Sequence, residues 1–244
     1  PPKSLDELYE LFVAPVDGSA LPTGLSPPGV EVNEYAISPD ASMVACTTCF
    51  PGSSALFTVA IDGSVGPFQL TPFSSVCPTS VSFLPDSSRV LYRASSDLYA
   101  SPLDGSAPAV QLSALGGVGS VASYRLTADG GRVVYGAFGV QDTLALYTVP
   151  SDGSSPAVPL NPSPRLGSRV ESYTLAGERV FYRGDVAVAG VGELEVAPLD
   201  ASQDPLLLNG PLATAVQPTD VTDLALSPDG SWAVYSTTAE VFAV

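Results

Sequence analysis

The residues able to do chemistry are few in this chain. There is no histidine, there are three cysteines (Cys46, Cys49, Cys77), and 25 Asp+Glu face 9 Lys+Arg in 244 residues. Without an imidazole, Ser-His-Asp and Cys-His catalysis and imidazole-ligated zinc or haem are excluded. No Gly-x-Ser-x-Gly elbow occurs, so a hydrolase nucleophile of that type is absent too. Gly116, Gly117 and Gly119 precede no Lys-Ser/Thr and no helical pattern, so they read as a connecting loop, not a phosphate cradle. Ca²⁺, which takes oxygen ligands alone, is compatible with an acidic chain that has no histidine. Asp220 and Asp223 lie close in sequence but lack the spacing of a calcium loop. The expectation is a protein with no cofactor that is not an enzyme.

The charge balance narrows the partners. A net charge of −16 argues against neutralising nucleic-acid phosphates or an anionic membrane surface. No run approaches the ~18 apolar residues of a membrane span. The cations that do gather, Arg165, Arg169 and Arg183 with Asp185 beside them, are the candidate binding-face residues, against the plainer alternative of solvated loop charges.

Most of the remaining aspartates belong to a pattern. Asp17, Asp62, Asp104, Asp152 and Asp200 recur at spacings of 45, 42, 48 and 48, each inside a segment of the type Ala-Leu-Phe-Thr-Val-Ala-Ile-Asp-Gly-Ser (55–64). Five copies at one place in a repeat indicate turn formation, since Asp bonds its own backbone two residues on and Gly accepts positive φ. A second motif alternates with the first at 35–45, 81–92, 124–135, 173–182 and 224–235: an apolar-alternating strand, a tight turn, and a strand ending in Val-x-Tyr or its equivalent. Short apolar pieces such as Phe68-Gln69-Leu70 and Val110-Gln111-Leu112 follow each Asp-Gly-Ser turn. Each unit thus supplies four short antiparallel strands, here called A to D, at a period of about 40–50 residues, the signature of a β-propeller.

The fold class is therefore all-β, a β-propeller of four-stranded antiparallel blades. About five to six blades are represented in one domain, 1–244, with units at 1–29 (partial), 30–75, 76–118, 119–167, 168–215 and 216–244 (partial). A sixth C strand begins at Glu240. Because both ends break mid-unit, continuation into a larger ring is expected over the alternative that the two ends meet. The 22 Gly and 24 Pro punctuate the blades.

Ser-Pro-Asp-Gly-Ser (227–231) and Leu-Tyr-Thr-Val-Pro-Ser-Asp-Gly-Ser (146–154) resemble the WD-repeat-like propeller units of the TolB type. They are similar also to propeller domains of tricorn- and prolyl-oligopeptidase-like peptidases. The resemblance covers nearly the whole chain, but its residues are turns and core. It implies a six-, seven- or larger-bladed disc that binds proteins or peptides, in the periplasm or outside the cell.

Alternating strand direction puts the B–C and D–A connections at one end of each blade and the A–B and C–D turns at the other. The turns are short and repetitive, the connections variable, and variable loops on a rigid scaffold are where recognition sits. Cys49 ends a B strand and Cys77 lies in the next D–A connection, so a disulfide between them is geometrically reasonable; two free thiols remain the alternative. If bonded, the pair implies an oxidising compartment. Cys46 and the B-strand tyrosines Tyr92, Tyr135, Tyr182 and Tyr235 are expected in the packing between blades, Cys46 as an inert thiol. The functional expectation is a non-catalytic, secreted or periplasmic scaffold that binds another protein or assembles with itself. The alternatives are the gating propeller of a larger serine peptidase and a polysaccharide-active propeller, the latter weakened by a single tryptophan, Trp232, placed inside a strand.

Overall fold

A computed structural model describes residues 9–27, 29–113, 119–139, 143–161, 169–185, 192–209 and 221–237. Among them there are strands and turns and no helix. A short pair opens the chain, β1 (Phe12–Val13) with β2 (Thr23–Gly24). The first complete blade is β3 (Val32–Ile37), β4 (Met43–Thr48), β5 (Ala55–Ala60) and β6 (Phe68–Gln69). The second is β7 (Thr79–Phe83), β8 (Arg89–Ala94), β9 (Asp97–Pro102) and β10 (Val110–Gln111). The third is β11 (Ser120–Leu126), β12 (Arg132–Phe138), β13 (Leu144–Pro150) and β14 (Val158–Pro159). The fourth is β15 (Val170–Ala176), β16 (Arg179–Gly184), β17 (Glu193–Pro198) and β18 (Leu206–Leu207), and a last pair follows, β19 (Val221–Leu226) with β20 (Ala233–Thr237).

Every sheet is an antiparallel meander in chain order, so the four-stranded repeat read from the sequence is the blade. The expected sixth C strand, from Glu240, lies outside the described residues. The chain divides into two compact units, Pro1–Ser113 with Ala128–Gly130, and Ala114–Thr127 with Gly131–Val244.

The turns form for the local reason their composition suggests. In each Asp-Gly-Ser turn an aspartate Oδ1 accepts the N–H of the residue two on, at 2.9 Å for Asp17, Asp62, Asp104 and Asp152 and 3.0 Å for Asp200. The residue between them sits at positive φ, from +64° to +72° where it is Gly, and 55° at Ala201. The Ser-Pro-Asp hairpins are tied differently. Ser38 Oγ donates to Asp40 and accepts the Met43 N–H at 2.9 Å, and Ser227 does the same with Asp229 and the Trp232 N–H at 2.9 Å. Trp232 therefore closes a turn just ahead of β20 and is 75% exposed; the expectation of a strand tryptophan is corrected.

Within each unit the core lies between successive sheets. Ala45, Leu56, Phe83, Val90 and Tyr92 join the first and second blades. Val134, Leu146, Leu160, Val180, Tyr182 and Ala197 join the third and fourth. Burying one such large side chain contributes about 1.5–3 kcal/mol. Cys46 is fully buried and its thiol is free, with burial pushing its pKa up to about 11.

Two fastenings repeat from blade to blade. A hydroxyl or amide oxygen at the end of each D segment accepts an N–H at the start of the C strand fifteen residues earlier. The bonds run from Leu11 to Ser26 at 3.0 Å, Leu56 to Thr71 at 2.8 Å, Leu98 to Ser113 at 2.9 Å, Leu146 to Asn161 at 2.8 Å and Leu194 to Asn209 at 2.8 Å. Each A strand from β3 to β19 also carries a bulge in its first residues, at 32–34, 79–82, 121–123, 170–172 and 221–223. A bulge bends the strand and re-aims the side chains around it.

Candidate functional site

The bulges fall at the end of the blades where the B–C and D–A connections emerge. In the fourth blade Arg169 precedes β15 and Asp185 follows β16, so antiparallel pairing brings them together. Asp185 Oδ1 accepts the Arg169 N–H at 2.7 Å, and the Asp185 N–H donates to the Arg169 carbonyl at 3.2 Å. Gly184 permits this closure, since a Cβ there would collide with the Arg169 carbonyl oxygen. The Arg169 guanidinium lies 5.9 Å from the Phe138 ring centroid.

Arg183 is committed elsewhere. From β16 its Nη1 donates to the carbonyls of Val221 and Thr222, both at 3.0 Å, at the bulge that opens β19. Its Nη2 pairs at 2.9 Å with Glu171 Oε2, from the bulge of β15. Arg183 is thus a pin between the fourth blade and the last pair of strands, not a solvated loop cation. Arg165 lies outside the described residues, as do Asp220 and most of the connections expected to vary.

Arg183 forms one wall of a groove of about 250 Å³ whose other walls include Tyr173, Phe181, Thr222, Asp223 and Leu224. Tyr173 shares a hydrogen bond with Ser123 at 3.1 Å, and the Arg125 guanidinium lies 5.5 Å from its ring centroid. Burial raises the Tyr173 pKa, with Ser123 and Arg125 opposing. Asp223 turns back on its own strand and accepts the Leu224 N–H at 2.9 Å. Tyr173, Arg125, Glu171 and Thr222 went unnoticed in the sequence, because two bulges create their proximity and no local pattern announces them. A larger groove, of about 400 Å³, opens at the turn end of the fourth blade between Phe181, Pro198, Leu206 and Gly230.

In the first unit the corresponding end is fastened. Cys49 and Cys77 are paired, Cα to Cα 5.0 Å, within the range a disulfide spans. Ser54 and Ser74 exchange two backbone hydrogen bonds at 3.0 Å across the same loops. Glu34, at the bulge of β3, accepts the N–H of Ser80 at 2.6 Å and of Val81 at 3.4 Å in the bulge of β7. This reverses the polarity of Arg183, which holds carbonyls. Among the described residues no group of three or more acidic or thiol side chains is placed to hold a metal ion, and no helix is long and apolar enough to cross a membrane.

No family model matches the chain, and no curated protein does. Solved structures do. TolB from Acinetobacter baumannii superposes with a TM-score of 0.46 at 18% identity, over 95% of this chain and 55% of that one. A protein described as a TolB, from Agrobacterium tumefaciens, gives 0.48 at 19% identity, over 91% of this chain and 80% of that one. An oligogalacturonate lyase in complex with manganese gives 0.53 at 14% identity, over 96% and 67%. The chain spans about half the length of the Acinetobacter protein. Identities this low speak to fold alone, and the fold is an all-β propeller of several blades.

Proposed function

We propose that this propeller is a non-catalytic module of a secreted or periplasmic protein, and that it recognises another protein through the connection end of its blades. One observation carries the reading: four charged side chains at that end are spent on backbone. Arg183 holds two carbonyls, Asp185 holds the Arg169 N–H, Asp223 holds the Leu224 N–H and Glu34 holds two amides. A general acid or base must reach its substrate's proton from within hydrogen-bond range, and groups so engaged serve shape instead. The groove lined by Arg183, Tyr173 and Asp223 has the mixed polar and aromatic character of a recognition surface. The Cys49–Cys77 pair favours an oxidising compartment.

The test is affinity capture from the native source with the wild-type protein and with Tyr173→Ala and Asp223→Lys variants, folding being verified for each. A protein held by the wild type and lost by both variants supports the reading. Equal capture by all three, or an inert monomer in extract as well as in pure solution, overturns it. Consumption of oligogalacturonate, with or without manganese, would overturn the non-catalytic half.

A further inference from the structure

The connection end of the first blade is unlike the rest of this acidic chain. Asp62 is the single charged residue between Asp40 and Asp86, and it sits in a C–D turn, at the opposite end. The connecting loops 49–54 and 71–78 hold no charge. They hold instead Phe50 and Phe73, 59% and 56% exposed, with Pro51 and Pro72 beside them. Glu34 reaches the chain just beyond the second loop, but its carboxylate is taken by the amides of Ser80 and Val81.

The two loops are fixed by their own bonds. Cys49 and Cys77 tie one to the other, and Ser54 and Ser74 exchange backbone hydrogen bonds across them. The Phe50 carbonyl accepts the Ser53 N–H at 2.9 Å and the Ser54 hydroxyl at 3.1 Å. Thr48 donates its hydroxyl to the Ser53 carbonyl at 3.0 Å, and Ser74 Oγ serves both the N–H and the carbonyl of Val76. Pro51, Pro72 and Pro78 have no N–H to satisfy. Phe73 leans on the buried Phe57, with ring centroids 6.2 Å apart.

We propose that Phe50 and Phe73 are an insertion point for the surface of a neutral lipid bilayer. Size separates lipid from protein as the occupant. An aromatic side chain carries about 150–250 Å², so two rings a little over half exposed offer roughly 200–300 Å². A stable protein interface takes about 800 Å² from each partner, which argues against a second copy set face to face. Hydrocarbon asks for neither matching shape nor a minimum area. It also gives no hydrogen bonds, which suits loops that bond their own carbonyls and have prolines in place of donors. Charge selects the kind of lipid. The patch has no charge to desolvate, while the −16 on the chain is repelled by anionic headgroups. The disulfide sets the rings before contact, so association carries little cost of ordering. Two such rings give marginal, reversible binding, of the order of a single acyl chain.

The experiment mixes the whole chain with phosphatidylcholine vesicles at ~0.15 M NaCl and measures partitioning by flotation. Partitioning should be reversible, should not weaken at ~1 M NaCl, and should fall when phosphatidylserine replaces part of the lipid at low salt. Phe50→Ser and Phe73→Ser should each lower it by about tenfold. Trp232→Ser, which removes an exposed ring elsewhere, should leave it unchanged. A Phe73→Trp variant in a Trp232→Phe background reports the site directly: its fluorescence should shift to the blue and be quenched by phosphatidylcholine brominated on its acyl chains. No partitioning onto phosphatidylcholine overturns the proposal, and so does binding that needs phosphatidylserine. Undiminished partitioning by both serine variants, or an unquenched tryptophan at position 73, overturns it as well. Should a serine variant fail to fold, the quenching still decides.

Discussion

An aspartate two residues ahead of a serine makes the same bond wherever it falls, so the Asp-Gly-Ser turns were legible from three consecutive letters. The exception is Ala201, at a φ of 55° where the other copies have glycine. A Cβ in that region costs about 1–2 kcal/mol, and glycine returns roughly 0.4–1 kcal/mol of that through the freer unfolded chain. Ala201→Gly should therefore stabilise the protein by about 0.5–1 kcal/mol in urea unfolding, and Gly153→Ala should destabilise it by about the same amount. Acidity gives a second reading at this scale. Ser38 and Ser42 hold Asp40 down to about 2, and Ser227 and Ser231 do the same for Asp229. A depressed carboxylate contributes stability that is present above its ordinary 3.8 and lost as pH falls through the folded value. Ser38→Ala should raise the Asp40 midpoint in an NMR titration and move the onset of acid unfolding to higher pH. Arg183 was not legible in this way: its partners are carbonyls 38 and 39 residues away, displayed by a bulge that no local pattern reveals.

Strand alternation and turn chemistry are short-range, which is why the four-stranded unit could be read from the chain. The fastening of C to D could not, although its letters were visible: Leu25-Ser26, Leu70-Thr71, Leu112-Ser113, Leu160-Asn161 and Leu208-Asn209. Only the pairing of the strands shows that the second residue of each couple reaches a buried N–H fifteen positions back. That Ser, Thr and Asn all serve identifies the requirement as an acceptor oxygen. Asn161→Ala should leave the buried Leu146 N–H unsatisfied and cost about 1–3 kcal/mol. Asn161→Ser, copying the second blade, should recover most of it, as thermal unfolding of the two variants would show. At the same end of the blade, the Cys49–Cys77 link closes a 28-residue separation, and chain entropy assigns such a loop about 3–4 kcal/mol. A Cys49→Ser, Cys77→Ser double variant should lower the denaturant midpoint of the first unit accordingly. The reducing agent that reproduces this shift in the wild type should leave Cys46 unlabelled until unfolding, since that thiol is fully buried.

Over the whole molecule the attractive charge contacts are short and local, whereas the excess is long-range. Arg183 sits within 2.9 Å of Glu171, Arg132 bonds Thr148, and Arg125 lies over Tyr173; salt acts on such close contacts less than on charges a Debye length apart. What remains is a net charge of −16, with turn aspartates repeated along the chain at the same end of every blade. Ser19, Ser64, Ser106 and Ser202 lower the pKa values of Asp17, Asp62, Asp104 and Asp200, so these charges are fixed at neutral pH. The Debye length contracts from about 30 Å at 0.01 M to about 8 Å at 0.15 M, shorter than the distance over which unpaired like charges act across a domain. Sodium chloride over that interval should therefore raise the thermal midpoint at pH 7. The gain should shrink as pH approaches the isoelectric region near 4.1, where the repulsion it screens has been titrated away. A midpoint that falls with salt at pH 7 would mean that exposed ion pairs, not the acidic excess, govern stability. The same field bears on recognition, because a cationic partner gains from it and loses that gain in salt. A partner captured through the Tyr173 groove should therefore dissociate faster as ionic strength rises if it is basic, and should show little salt dependence if the aromatic and backbone surface alone selects it.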